Sequence, residues 1–103
     1  MSLIHLTEET FEKEALQNEK PVLIDFFADW CGPCRMLAPT VEAFAAERED
    51  IAVYKVNVDE APALATAFGI VSIPTLVALR GGQPIGQLVG LRVKDEIAAL
   101  FDK

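Results

Sequence analysis

Runs of apolar residues along the chain predict strands of two kinds. Val22–Ala28 and Ile51–Val58 are nearly continuous apolar segments, which are typical of strands buried on both faces of a sheet. Thr75–Leu79 and Ile85–Val89 flank the pair Gly81–Gly82, and this arrangement predicts an antiparallel hairpin with a tight turn. The pattern therefore predicts a sheet that contains both deeply buried strands and a terminal hairpin.

Apolar residues at helical spacing predict four helices, and residues 2–5 add a short first strand. The predicted helices cover residues 8–18, 33–48, 60–68 and 93–102. Thr7 is a suitable N-cap for the first helix, and Pro39 should bend the second. The resulting order, β-α-β-α-β-α-β-β-α, predicts an α/β fold: a mixed central five-stranded sheet flanked by four helices on its two faces.

Composition narrows the class of protein and of partner. The 103 residues, 51% hydrophobic and 24% charged, predict one globular domain over residues 1–103. The net charge of -7 disfavours nucleic acid and anionic membranes, so we expect protein or small-molecule partners. No signal-like or membrane-spanning apolar run is visible, and a monomer in the reducing cytoplasm is expected.

The chain contains two cysteines, Cys31 and Cys34, in C-x-x-C spacing. A persistent structural disulfide is unusual in the cytosol, and so short a loop would constrain the unfolded chain little. The pair therefore indicates redox chemistry, with two neighbouring core cysteines as the structural alternative. A zinc site would need further ligands, but no other cysteine exists and the single histidine, His5, is distant in sequence. We therefore expect no metal.

The segment Trp30–Cys34, which follows a strand and opens a helix, resembles the active-site motif of the thioredoxin family. The resemblance covers almost the whole chain and includes Asp25, Lys55, Asp59, Phe68–Ile70, Ile73–Thr75 and Val89–Gly90. It implies a thioredoxin fold and a protein-disulfide reductase that works by dithiol–disulfide exchange through Cys-Gly-Pro-Cys. Two residues depart from the family pattern: Phe27 replaces a common tryptophan and Arg35 a usual lysine. We expect Phe27 to alter packing and fluorescence, not chemistry, and Arg35 to keep the positive charge.

The motif predicts different roles for the two thiols. A free cysteine is only about 3% ionised at pH 7, but unpaired backbone N–H groups at a helix start favour the thiolate. Cys31 is therefore the expected nucleophile at an exposed helix start, and Cys34, one turn further inside, is the resolving thiol. Gly32 allows close approach of a substrate backbone, and Pro33 stiffens the loop, so both should tune the redox potential.

Asp25 interrupts an otherwise apolar strand. Burial of a carboxylate is unfavourable, so desolvation should raise its pKa, and a neighbouring Lys55 should moderate that effect. Such a group can accept the proton of Cys34 during resolution. A purely structural Asp–Lys pair is the alternative interpretation.

The resemblance also implies a substrate surface around Cys31. The peptide bond between Ile73 and Pro74 is expected to be cis. A flat apolar patch should bind extended substrate strands through backbone hydrogen bonds, with broad substrate range. Its expected members are Trp30, Gly32, Pro33, Ile73, Pro74, Val89 and Gly90.

The implied partners are an NADPH-dependent thioredoxin reductase and disulfide-containing client proteins. No bound cofactor is expected, because the two thiols store both electrons. Two other functions stay open from the sequence. A redox-independent binding subunit could use the same fold. An oxidant or isomerase domain of the secretory pathway is less consistent with Gly32–Pro33, because such domains prefer a histidine inside the motif.

Overall fold

The computed structural model describes residues 3–102 and confirms the predicted order of elements. The strands are β1 (Ile4–His5), β2 (Val22–Phe27), β3 (Ala52–Asn57), β4 (Thr75–Arg80) and β5 (Gln83–Val89). The helices are a short π-helix (Glu12–Leu16), α1 (Gly32–Glu47), α2 (Pro62–Ala67) and α3 (Lys94–Ala99). Residue 2, at the start of the predicted first strand, lies outside the described residues.

The five strands form one mixed sheet in the order β1-β3-β2-β4-β5. β2 lies at the centre, parallel to β3 and antiparallel to β4, and all six of its residues are buried. Its apolar run is therefore a central strand, as predicted. Side chains alternate along a strand, so Leu23, Asp25 and Phe27 share one face of the sheet and Ile24 and Phe26 the other.

Each face of the sheet carries its own apolar core. On the first face, β2 packs with the π-helix and α2 through a cluster that includes Ala15, Ile24, Phe26, Val56 and Leu64. On the second, it packs with α1 and α3 through Leu23, Leu37, Val41, Phe44, Ile97, Leu100 and Phe101. Helices thus cover both faces, and α1 lies over the face that carries Asp25.

The predicted hairpin is present between β4 and β5. Arg80 and Gln83 are paired, so Gly81 and Gly82 form a two-residue loop. Both have positive φ angles, 60° and 79°, as a type I′ turn requires. A Cβ on Gly82 would lie 3.0 Å from the carbonyl oxygen of Leu16, so this position also requires glycine for close packing.

The first helix is shorter and wider than predicted. Instead of an α-helix over residues 8–18, a turn leads into the π-helix, whose last bond joins the N–H of Gln17 to the carbonyl of Glu12. Thr7 still caps the segment, since its hydroxyl accepts from the N–H of Thr10 at 3.2 Å. Asn18 ends it by donating to the hydroxyl of Tyr54 in β3 at 3.1 Å. Apolar spacing carries no information about that tertiary contact.

Candidate active site

The two cysteines lie at the start of α1, where the sequence predicts them. Cys31 is the N-cap residue with an extended backbone, and Cys34 lies in the first turn. The two sulfurs are joined in a disulfide. The Cys31 sulfur also accepts a hydrogen bond from the backbone N–H of Cys34 at 3.2 Å. After reduction, the same N–H and the helix dipole would stabilise a thiolate on Cys31.

The expected exposure of Cys31 is wrong for this disulfide form. Cys31 is only 5% exposed, hardly more than Cys34 at 4%. Both cysteines pack with Phe27 and Ala28, and the Cys31 sulfur lies 3.9 Å from the carbonyl oxygen of Ile73. The loop that contains Ile73 therefore covers the sulfur, a tertiary contact that position in a helix cannot reveal.

Trp30 is a surface residue and not part of the core. Its side chain is 69% exposed, and the indole N–H donates to the carboxylate of Asp59 at 2.8 Å. Asp59, which follows β3, thus restrains the ring beside the cysteines. Sequence reasoning included Asp59 in the family resemblance but assigned it no role, because nothing local in the sequence links the two residues.

The loop before β4 and the end of β5 are joined beside this site. The Ile73–Pro74 bond is cis, as the resemblance implies. The N–H of Gly90 donates to the carbonyl of Pro74 at 2.9 Å, and Val89 is paired with Thr75 across the hairpin. Strand pairing therefore brings Val89 and Gly90 next to the loop that covers Cys31.

Most of the predicted patch is accessible, with one exception. Trp30, Pro33 and Val89 are exposed, and Gly32, Ile73 and Gly90 are half-buried. Pro74 is buried, so its side chain offers no exposed surface. Its backbone has no N–H, and its carbonyl already accepts a hydrogen bond from the N–H of Gly90.

A shallow apolar depression of about 170 Å³ adjoins the patch, and sequence reasoning missed it. It is lined by Trp30, Val58, Ala65, Ile70, Val71, Ser72 and Ile73. Val71 within it is almost fully exposed. The lining comes from α2, from Val58 just after β3 and from the loops that contain Trp30 and residues 70–73, so no periodic pattern in the sequence indicates it.

Asp25 is buried in β2 with an exposed fraction of 1%. Its Oδ1 atom has no hydrogen-bond partner among the described residues. Desolvation raises the pKa of Asp25 from 3.8 to about 6, and the charge of Lys55 partly opposes this rise. Both the direction and the moderating partner agree with the sequence prediction.

Lys55 and Asp25 are in register on neighbouring strands, but their side chains do not form a contact ion pair. Within residues 3–102, no Asp25–Lys55 pair lies within 4.0 Å. The ammonium nitrogen of Lys55 instead lies over the ring of Phe27, 4.3 Å from its centroid. The electrostatic influence of Lys55 on Asp25 therefore acts through space.

Residues 3–102 contain no group of three or more His, Cys, Asp or Glu side chains placed to hold a metal ion. No helix in that range is long and apolar enough to cross a membrane.

Comparison with known proteins gives consistent matches. The family model described as Thioredoxin matches residues 2–103. The chain is 50% identical over 95 residues to the thioredoxin of Alicyclobacillus acidocaldarius subsp. acidocaldarius, covering 91% of this chain and 90% of that protein. It is 46% identical over 99 residues to thioredoxin 1 of Nostoc sp. (strain PCC 7120), covering 95% and 92%. It is also 46% identical over 92 residues to a bifunctional thioredoxin reductase/thioredoxin of Mycobacterium leprae, covering 88% of this chain and 20% of that protein.

Proposed function

Because this chain belongs to the thioredoxin family and is a protein-disulfide reductase, we propose that Cys31 is its nucleophile and Cys34 its resolving thiol. The observation that carries this assignment is the position of Cys31 at the N-cap of α1, with its sulfur facing the N–H of Cys34. Cys34 lies deeper in the helix, among the residues that α1 buries against the sheet.

The proposed reaction is a two-step exchange. The Cys31 thiolate attacks a client disulfide, forms a mixed disulfide and releases one client thiolate. Cys34 then loses its proton, attacks the Cys31 sulfur and releases the second client thiolate. The client gains two electrons, and the Cys31–Cys34 disulfide forms, which is the state of the described structure.

Asp25 is the proposed proton acceptor for Cys34. It lies on the sheet face covered by α1, and one of its carboxylate oxygens is unpartnered. With a pKa of about 6 it is ionised in roughly 90% of molecules at pH 7. It is also a stronger base than an exposed aspartate, and a proton acceptor works best with a pKa near the working pH. Lys55 tunes this pKa, and Gly32 and Pro33 tune the sulfur geometry.

The apolar surface beside Cys31 is proposed to bind clients as extended strands. Trp30 and Val89 offer exposed apolar surface. The backbone carbonyl of Ile73 lies beside the Cys31 sulfur, and the N–H of Gly90 bonds to the carbonyl of Pro74 in the same loop. Backbone pairing with a substrate strand depends little on its side chains, so a broad range of clients is expected. Pro74 contributes through the shape of the loop.

The proposed physiological partner is an NADPH-dependent thioredoxin reductase, since each cycle leaves a disulfide that needs two electrons. The name of the Mycobacterium leprae relative joins a reductase and a thioredoxin in one chain, which supports such a pairing. We place the protein in the cytoplasm as a monomeric single domain. The net charge of -7 argues against nucleic acid or anionic membranes as partners.

Insulin reduction by dithiothreitol tests the assignment with wild type, Cys31→Ser and Cys34→Ser. Cys31→Ser should be inactive, and Cys34→Ser that has been reduced and freed of dithiothreitol should accumulate a mixed disulfide with insulin. An adduct formed by Cys31→Ser instead of Cys34→Ser would reverse the roles. The double serine variant provides a control for a redox-independent binding function: binding would survive in it, and reductase activity would not.

A further inference from the structure

The ring of Phe27 lies between the cysteine pair and a cation. On one side Phe27 is buried in a cluster with Ala28, Cys31 and Cys34. On another, the Lys55 nitrogen lies 4.3 Å from the ring centroid. The ring of His5 contacts it edge-on, with centroids 5.3 Å apart and planes at 78°. Phe27 therefore contacts both the redox centre and the Lys55 ammonium group.

The side chains concerned share one face of the sheet. Asp25 and Phe27 are two residues apart in β2, so they point the same way. Lys55 is in register with Asp25 on the parallel strand β3, and His5 of β1 is in register with Lys55. This face is the one that α1 covers, and Cys34 belongs to the buried side of α1.

Lys55 has two other places available to its long, flexible side chain. It could approach Asp25 and form a contact ion pair, or it could extend into water, since the residue is only half-buried. Its nitrogen lies over the ring of Phe27 instead of against Asp25, and the face of an aromatic ring attracts an ammonium group. We propose that Phe27 is a positioning residue whose ring holds the Lys55 ammonium near the Asp25 carboxylate but out of contact with it.

The position of the Lys55 ammonium over the Phe27 ring matters for proton transfer at Asp25. A contact ion pair would occupy the carboxylate and keep it ionised, whereas loss of the cation into water would leave desolvation unopposed. The intermediate position lets Asp25 both lose and gain a proton near neutral pH. Lys55 from β3, His5 from β1 and the two cysteines at the start of α1 all contact Phe27, and the β4 neighbour of Asp25, Leu76, is uncharged. This inference deepens the proposed function and rests on it for its catalytic meaning.

The test is a titration of the Asp25 carboxyl carbon by NMR in the oxidised protein, where the thiols cannot titrate. Phe27→Leu removes the ring and should change the acid strength of Asp25 about threefold to tenfold: the pKa rises if the cation moves into water and falls if it pairs with Asp25, and an unchanged pKa would overturn the inference. Phe27→Trp keeps an aromatic face and should restore the wild-type value. Lys55→Met should raise the pKa.

The Lys55→Met background separates positioning from a merely structural role. If Phe27 acts through Lys55, adding Phe27→Leu to Lys55→Met changes the pKa of Asp25 no further. An equal change with and without Lys55 would overturn the inference, because Phe27 would then act by burial alone. His5→Gln is the matched control: it removes the other ring contact of Phe27 and should leave the titration unchanged.

A second measurement needs no variant and covers the case in which Phe27→Leu does not fold. The protons next to the Lys55 nitrogen should show an upfield ring-current shift in the wild-type NMR spectrum, and shifts typical of a free lysine would overturn the inference. A failure of the proposed proton-acceptor function would be seen in a different experiment. If Asp25→Asn resolves mixed disulfides at the wild-type rate at every pH, the proton-acceptor role fails while the titration results stand.

Discussion

Asp25→Asn removes a carboxylate that folding buries in the central strand. Because burial raises the pKa of Asp25 from 3.8 to about 6, the native state binds more protons than the unfolded chain between these pH values. Wild-type stability attributable to this group is therefore greatest at low pH and is lost as pH rises through about 6. Above that pH the buried charge destabilises the native state fully, and the asparagine variant avoids this loss.

The pKa difference sets the magnitude. Folding raises the pKa of Asp25 by slightly more than two units, and each unit corresponds to about 1.36 kcal/mol. The buried carboxylate therefore lowers the free energy of unfolding by about 3 kcal/mol at pH 7 and above. The asparagine amide brings its own unsatisfied donors, but that effect does not vary with pH. The stability difference between variant and wild type should therefore grow by roughly 1 kcal/mol from pH 5 to pH 8, whatever its absolute size.

Urea unfolding of the oxidised proteins at pH 5, 6, 7 and 8 measures this difference. Asp29→Asn is the matched control, because Asp29 is exposed at the end of the same segment and its loss should matter little at any pH. A stability difference for Asp25→Asn that stays flat across this range would refute the reasoning, since it would mean that the carboxyl does not titrate between pH 5 and 8.

Three further changes have distinct expected outcomes. Gly82→Ala should lower the urea midpoint more than Gly81→Ala. Alanine at either position adopts a positive φ, which costs about 1 kcal/mol, but only at Gly82 would the new Cβ also lie 3.0 Å from the carbonyl oxygen of Leu16. Equal midpoints would contradict this. Arg48→Gln breaks two ion pairs at 2.9 Å and should lower stability in dilute buffer, with a smaller effect in 1 M salt; salt-independent loss would argue against them. Trp30→Phe should raise the KM for insulin roughly fivefold with kcat little changed, because about 1 kcal/mol of apolar contact is lost; a fall in kcat alone would count against a binding role.

Much of the fold follows from local pattern. The apolar run of β2, the glycine pair of the hairpin and the helical spacing of α1 each predict the element that the structure contains. The first helix is the exception: a turn and a π-helix replace the predicted α-helix, and Asn18, which follows them, bonds to Tyr54 of a distant strand. Periodicity identifies the face that a residue occupies but not the partner that meets it there.

The site divides in the same way. Spacing and residue type indicate the cysteine pair, and the cost of burying a carboxylate indicates a raised pKa for Asp25. The burial of Cys31 under the loop at Ile73 and the burial of Pro74 are not visible in the sequence. Both depend on how the hairpin returns to the start of α1.

By itself, the sequence determined the order of the elements, the chemistry of the two thiols and the presence of an acid in the central strand. Only the tertiary structure decided that Lys55 lies over Phe27 rather than against Asp25, and that Asp59 restrains Trp30. The physical reason is the distance along the chain over which each effect acts. Backbone preference and apolar periodicity act between residues close in the chain, whereas the distance between side chains on different elements depends on strand register and packing, which form only when the whole sheet assembles.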